Sequence, residues 1–438
     1  MRRFLPAFLL VALPLSAQSS KPTSADLAHA LRVLAKSPVF DGHNDLPWRI
    51  REDKAHPRDV AAYDLRKRTP GMTDLARLKQ GHVGAQFWSI YIPGEPTDDN
   101  YAPNGAVAST PGYARVQLEQ IDIARRMIAM YPELKWTLSS SAVRANFGTG
   151  TVGSLLGLEG GHAIENSLPL LRTYYDAGAR YMTLTHNVTL DWADAALDSA
   201  KHGGLTPFGK EVVREMNRLG MLVDLSHVSP GTMSDALSTT EAPVIFSHSG
   251  ARALVDHRRN VPDSILARLP KNGGVVMVPF VTSFVSAAVK AHEDSLDAFV
   301  AASRQRHGLA THDDSAAVRA EVGDWRAAHP APAATIADVA DHIEHVRKVA
   351  GVDHVGIGSD FDGITDNVVG LEDVSKYPAL FAELIHRGWS DADLAKLANG
   401  NVLRVLAEAE RVSARLKKTR APSNATLEQL DHPAKPTA

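Results

Sequence analysis

A parallel (β/α)8 barrel of the TIM type, interrupted late by a helical insertion, is the fold this sequence predicts. Three observations predict it. About eight short runs rich in apolar and β-branched residues recur along the chain, with the length and composition of buried parallel strands. Most are separated by stretches of helical periodicity with recognisable cap and stop residues, and β/α alternation at that number suits a closed barrel. The runs also end repeatedly in His, Asp or Glu, which in a barrel gathers those side chains on one rim. An open doubly wound sheet is the rival. No GxGxxG opens a helix and no phosphate-binding loop appears, so its nucleotide-binding form has little support.

The first strand lies in VFDGHNDLPW (39–48). Val39 and Phe40 enter it, His43 and Asp45 stand two apart and so share a face, and Pro47 stops the run. Residues 18–36 are read as an N-terminal tail running into a short helix. Residues 51–80 are charged and irregular, with a helix near 72–79. VGAQFWSIYI (83–92) is the second strand, 94–111 a loop rich in Pro, Gly and Asn, and 114–130 a helix with Val116, Ile121, Ile123 and Met127 on its stripe. SLLGLEGG (154–161) is the third strand, 167–178 a helix stopped by Gly178, and ARYMTLTH (179–186) the fourth strand. Thr206 and Pro207 then start a helix that buries Phe208, Val212, Val213, Met216 and Leu219 and ends at Gly220. MLVDLSH (221–227), PVIFSHS (243–249) and GGVVMVPF (273–280) are the next three strands. The Ala-rich, charged stretch 286–334 breaks the rhythm and is read as a helical insertion. A helix through 336–349 leads into the last strand, in HVGIGSDFDG (354–363), and Ser390 opens a final helix through 406. The domain is set at 37–410, with 411–438 a polar C-terminal tail whose Pro-containing part, 421–438, is expected to be disordered.

Of the 438 residues 44% are hydrophobic and 22% charged, and the formal net charge is −3. That is ordinary for a globular chain with a barrel-sized core, and the absence of a long basic run leaves no nucleic-acid footprint. Residues 1–17 read as a secretory signal, with Arg2 and Arg3, an apolar run over 4–15, then small Ser16 and Ala17. That run is shorter than the roughly 20 residues of a spanning helix, and neither a lipidatable cysteine nor an apolar tail offers an anchor. A periplasmic or secreted protein without a membrane anchor is expected. With no cysteine at all, any metal must be held by His, Asp, Glu or backbone oxygen. Of the 19 His, His29, His56, His202, His307, His312 and His432 lie in polar surroundings and are expected at the surface.

The strand ends carry the chemistry: His43 and Asp45, Glu159, His186, His227, His248 and Asp360. Three His (His43, His227, His248) and two carboxylates (Asp45, Glu159) are the right donors for two zinc ions with Glu159 as the bridge. Ions about 3.5–4 Å apart share a water and lower its pKa toward neutral. Gly157, Gly160 and Gly161 allow close backbone approach around Glu159, or form a tight turn. Asp360 is either a sixth ligand or a proton shuttle, and Asp362 a loop residue past the strand end. His186 has no partner at metal-pair spacing and is read as a donor to a developing oxyanion, with a core or supporting His as the alternative. Arg258 or Arg259 could clamp a substrate carboxylate. His162 is either a supporting His behind the ligands or a plain loop residue.

Taken together, DGHNDLPW, GLEGGHAI, RYMTLTHN, LVDLSHVS, VIFSHSGAR, RRNVPD, GIGSDFDG and LEDVSKYP resemble the renal (membrane) dipeptidase family, zinc peptidases on an amidohydrolase-like barrel. The resemblance runs from about 39 to 406. It implies a binuclear zinc site, with His43 and Asp45 on one ion, His227 and His248 on the other, and Glu159 between them. It also implies substrate contacts from His186, Arg259 and Asp360, and it suggests a homodimer. The chain departs from the mammalian members in lacking cysteines and a lipid anchor. The expected activity is hydrolysis of dipeptides with a free C-terminal carboxylate by a zinc-bridging hydroxide, with Glu159, Asp360 and His186 as the catalytic groups. Hydrolysis of a β-lactam, lactone or N-acyl amino acid is the second reading, and a non-catalytic peptide-binding protein the third.

Overall fold

The computed structural model describes residues 21–94, 112–310 and 315–433; the expected signal at 1–17 and most of the 94–111 loop lie outside them. Among the described residues nine strands form one parallel sheet: β1 (Val39–Asn44), β2 (Val83–Ser89), β3 (Leu134–Trp136), β4 (Val152–Glu159), β5 (Ala179–Thr183), β6 (Leu222–Asp224), β7 (Ile245–Phe246), β8 (Val275–Val278) and β9 (Val355–Ile357). Eight pair in the order β1-β2-β4-β5-β6-β7-β8-β9, and β3 pairs only with β4. The ring closes between the first and the last, by the parallel bridge of Asn44 with Phe361. Two backbone bonds flank it, Asp45 N–H to Phe361 O at 2.9 Å and Asp360 N–H to His43 O at 3.1 Å. The fold is the expected (β/α)8 barrel with one accessory strand.

Alternation along the strands divides the core in two. Phe40, Phe87, Leu155, Tyr181, Leu222, Ile245 and Met277 form one cluster with Val402, Leu403, Val405 and Leu406 of the helix Asn401–Leu416. Phe40 stacks on Phe87 at 5.2 Å and Phe87 meets Tyr181 at 5.0 Å. Their sequence neighbours Val39, Trp88, Leu156, Met182 and Val223 pack with the surrounding helices. Those helices stand where their signals place them: Thr206 caps Pro207–Leu219 by accepting from Gly209 N–H, and Gly220, at φ 89°, ends it.

Several boundaries differ from expectation for local reasons. The 18–36 tail is helical from Ser24 to Lys36, set by a capping box between Thr23 and Asp26. The stretch 286–334 holds two helices, Ala287–Arg306 and Ala316–Ala328. The final helix is broken: Asp391–Ala395, a π-turn over Lys396–Gly400, then Asn401–Leu416. The 411–438 tail is neither wholly polar nor loose in its described part. Val412 and Leu416 are buried, and a helix at Leu427–Asp431 docks on the barrel. Arg172 donates to Ser423 O at 2.7 Å and to Asn424 Oδ1 at 3.2 Å, and Phe208 N–H donates to Asp431 Oδ1 at 2.8 Å. A run of polar residues hid these specific backbone anchors.

Candidate metal centre

The ladders stop earlier than the apolar runs suggest. Only His43 and Glu159 lie on strands; His186 follows β5, His227 follows β6, His248 follows β7 and Asp360 follows β9. Asp45 has left β1 and caps the helix Leu46–Arg51 at φ −95°, ψ 23°. The extended-strand argument for His43 and Asp45 therefore fails in its premise, because the chain is already turning into a helix at Asp45. His227 and Asp360 stand at φ 66° and 67°, left-handed conformations that cost non-glycine residues roughly 1–3 kcal/mol each. Each turns a side chain back over the mouth of the barrel.

These side chains meet at Glu159. Its Oε2 lies 3.2 Å from His43 Nε2 and accepts from Ser89 Oγ at 3.0 Å. Its Oε1 lies 2.9 Å from His227 Nε2 and 3.5 Å from His248 Nε2. One carboxylate thus faces three imidazoles, one with Oε2 and two with Oε1. On the His43 side, Asp45 Oδ2 is 3.1 Å and Asp360 Oδ1 4.0 Å from His43 Nε2. Three triads bring their donor atoms within 4.8 Å of one another: His43–Glu159–His248, Glu159–His186–His227 and His43–Asp45–Asp360. The expectation that His186 has no partner here is corrected, since its ring lies 4.4 Å from that of His227; adjacency of the two loops, not sequence spacing, brings them together.

The donor set fits divalent metal ions. His43 Nε2 and Asp45 Oδ1 are buried without a hydrogen-bond partner among the described residues, and the His227 and His248 Nε2 atoms face each other at 2.9 Å. Polar atoms so crowded and buried are costly unless a cation joins them. Every outer nitrogen has a partner: His43 Nδ1 lies 2.7 Å from the Tyr181 hydroxyl, His227 Nδ1 3.1 Å from Asn187 Oδ1 and His248 Nδ1 2.8 Å from Ser247 Oγ. Burial, with the positive charge of Arg259 and neighbouring His, holds His227 and His248 well below the ordinary imidazole value, so they are neutral, as ligands must be. His43 goes the other way. Burial would lower it, but Tyr181, Glu159 and Asp45 draw it well above the ordinary value, a demand for positive charge that a metal ion would meet.

A cavity of about 450 Å³ opens above the cluster, lined among others by Trp48, Tyr91, His186, Arg259, Phe284 and Asp360. A wider hollow of about 690 Å³ lies between Arg58, Arg115 and Arg126, but its charges are ordinary surface ion pairs with Glu119 and Asp122. Arg259 is buried, its guanidinium 5.1 Å from the Phe284 ring, and its Nε has no hydrogen-bond partner among the described residues. Burial lowers its pKa to about 10, which still leaves it charged at neutral pH. Arg258 reaches outward to Asp198 O at 2.9 Å.

The sequence matches the membrane dipeptidase family (peptidase family M19) over residues 27–420. The chain belongs to the membrane dipeptidase family. Solved structures agree. It is similar to the probable dipeptidase PvdM from Pseudomonas aeruginosa, at 26% identity and TM-score 0.73, over 89% of this chain and 99% of that one. It is likewise similar to a metallo peptidase from Rhodobacter sphaeroides liganded with a phosphinate mimic of the dipeptide L-Ala-D-Ala, at 26% identity and TM-score 0.67, over 85% and 99%. A third is a dipeptidase AC of family M19, at 26% identity and TM-score 0.65, over 85% and 98%. Family and donor cluster together make the chain a metal-dependent hydrolase of the dipeptidase class.

Within this dipeptidase fold the remaining expected residues fall into place as geometry. Asp362 is buried at φ 67° and accepts from Met72 N–H at 2.7 Å, tying the loops at the cavity wall. His162 stands 3.1 Å from Ile92 O, and burial lowers its pKa to about 3. Tyr181, Asn187, Ser247 and Ser89 escaped the sequence reading. RYMTLTHN, read for His186, also carries Tyr181 and Asn187, and VIFSHSGAR, read for His248, also carries Ser247. Gly157 makes room for the Tyr181 ring, since a Cβ there would lie 1.9 Å from Tyr181 Cζ.

Proposed function

We propose that this chain is a binuclear zinc dipeptidase that hydrolyses dipeptides bearing a free C-terminal carboxylate. The observation that carries the reading is the division of Glu159, one oxygen toward His43 and the other toward His227 and His248. That arrangement would let Glu159 serve two ions at once, one held with His43 and Asp45 and the other with His227 and His248. When bound, two zinc ions would supply Lewis acidity and a water ionised near neutral pH.

The chain's own residues do the rest. Arg259 receives the substrate carboxylate with a guanidinium that is already desolvated, and His186 donates toward the carbonyl oxygen as charge develops there. Burial, reinforced by Asp45 and Glu159, holds the Asp360 carboxyl well above the ordinary range against the pull of His43 and Arg259. Asp360 is therefore suited to keep a proton and deliver it to the leaving amine. The dipeptide mimic in the Rhodobacter sphaeroides relative supports the substrate class. Residues 1–17 support export to the periplasm or beyond.

The test compares a dipeptide, its C-terminal amide and a tripeptide on the wild type and on Arg259→Ala. The proposal expects efficient cleavage of the free dipeptide alone, and a variant that no longer separates dipeptide from amide. Equal cleavage of dipeptide and amide by the wild type would refute the carboxylate clamp. Inactivity on every peptide, in protein that holds its metal, would point to another amide or a lactone.

A further inference from the structure

Beneath His248 a chain of hydrogen bonds leads to a buried carboxylate. His248 Nδ1 is 2.8 Å from Ser247 Oγ. Ser247 Oγ donates to Asp224 Oδ2 at 2.6 Å, a closer acceptor and a charged one beside His248 Nδ1 at 2.8 Å and Ser226 Oγ at 3.4 Å. The serine proton therefore belongs to Asp224, and the serine oxygen is left to accept from His248 Nδ1–H. That fixes His248 with its lone pair on Nε2, the nitrogen 3.5 Å from Glu159 Oε1. Asp224 is itself held from four sides. Its Oδ1 accepts from Ser247 N–H at 2.8 Å and Ser226 N–H at 3.1 Å, and its Oδ2 accepts also from Thr183 Oγ1 at 2.5 Å. All three members of the relay are fully buried or nearly so.

The placement has a second logic. The β6–β7 seam carries a single ladder pair, Asp224 with Ile245. Asp224 stitches it by taking both the N–H and the hydroxyl of Ser247. The same stitch recurs where the barrel closes, where Asp41 takes Ser359 N–H at 2.8 Å and Ser359 Oγ at 2.7 Å. Ser247 Oγ also meets an imidazole nitrogen, whereas Ser359 Oγ meets Asp41, the His43 backbone O and Phe361 N–H, with no imidazole nitrogen among its described hydrogen bonds.

We propose that Asp224 is a positioning residue that acts through Ser247 to set the tautomer and basicity of His248, and so the affinity of the metal position shared by His227 and His248. The inference rests on the binuclear reading above. A carboxylate behind a ligand His raises its basicity, and loss of such a partner typically weakens metal binding about 10–100-fold. Here one hydroxyl is interposed.

The test uses full-length mature protein, zinc and a competing chelator, with 15N-histidine NMR of the metal-free state. Wild type is expected to bind two zinc equivalents and to show His248 as the Nδ1–H tautomer. Ser247→Ala should weaken one equivalent about 10–100-fold and leave His248 with mixed tautomers. Ser247→Thr, which keeps the hydroxyl, should restore both. Ser359→Ala removes the matching stitch, and its urea unfolding reports the stability cost of losing one; because Ser359 also touches His43 O, its zinc affinity does not serve as the reference. Ser247→Ala that binds zinc as wild type, with an unchanged tautomer, overturns the proposal whatever its Tm. If Ser247→Ala is impaired but a folded Asp224→Asn is not, Asp224 has no part and the proposal fails there. Absence of zinc binding in the wild type would instead bring down the metal reading itself.

Discussion

Tyr181→Phe should weaken zinc binding about 10–100-fold while leaving the metal-free barrel folded. The hydroxyl is wholly buried and lies 2.7 Å from His43 Nδ1. Removing it leaves a buried ring nitrogen without a partner, a loss of about 1–3 kcal/mol, which is the same size as the expected fall in affinity. Gly157→Ala reaches the same bond from the other side. The new Cβ would lie 1.9 Å from Tyr181 Cζ and 2.3 Å from its hydroxyl oxygen, so the ring must move, and overpacking adds about 1–3 kcal/mol. Chelator competition measures the affinities, and urea unfolding of the chelated proteins measures the stabilities. If Gly157 acts through Tyr181, the double variant should bind zinc no more weakly than Gly157→Ala alone. Unchanged zinc affinity in Tyr181→Phe, or additive losses in the pair, would refute the reasoning.

Three other outcomes follow from the same structure. Arg259→Ala should raise KM about 30-fold or more with kcat little altered, since a desolvated charge partner is worth about 2–5 kcal/mol; steady-state kinetics on a dipeptide decide it. Buried His342 accepts from Ala251 N–H at 2.9 Å and its pKa falls from 6.5 to about 4, through burial first. The unfolded chain takes this proton near pH 6.5 but the fold only near 4, so stability is full above 6.5 and falls as pH drops toward 4, by up to about 3 kcal/mol. Urea unfolding of chelated His342→Gln should show an acid limb shallower by one proton than the wild type. Truncation after Arg420 should remove the Ser423 and Asp431 anchors, lower stability by roughly 1–3 kcal/mol and leave kcat unchanged.

Much of the barrel was legible because buried parallel strands announce themselves as apolar runs between capped helices. β3 was not, because LKW is three residues long and pairs only with the start of β4. The residues gathered at the cavity were legible as strand-end His, Asp and Glu. Their geometry was not. Asp45 meets His43 from a helix cap, and His227 and Asp360 reach the cluster from left-handed turns, none of which a period-2 argument can foresee. The partners Tyr181, Asn187 and Ser247 are common residue types whose meaning comes only from what the folded chain places beside them. The residue pattern alone left Arg258 and Arg259 open; the family resemblance chose Arg259, the one the loop turns inward.

The central claim is that the Glu159 cluster holds the metal on which peptide cleavage depends. The most direct measurement is dipeptide hydrolysis by the purified protein before chelation, after it, and after zinc is returned, with bound zinc counted at each stage. Activity should vanish on chelation and return in step with zinc up to two equivalents, and Glu159→Gln should neither bind the second equivalent tightly nor turn over. Undiminished cleavage by the metal-free protein, or full activity in Glu159→Gln, would contradict the account.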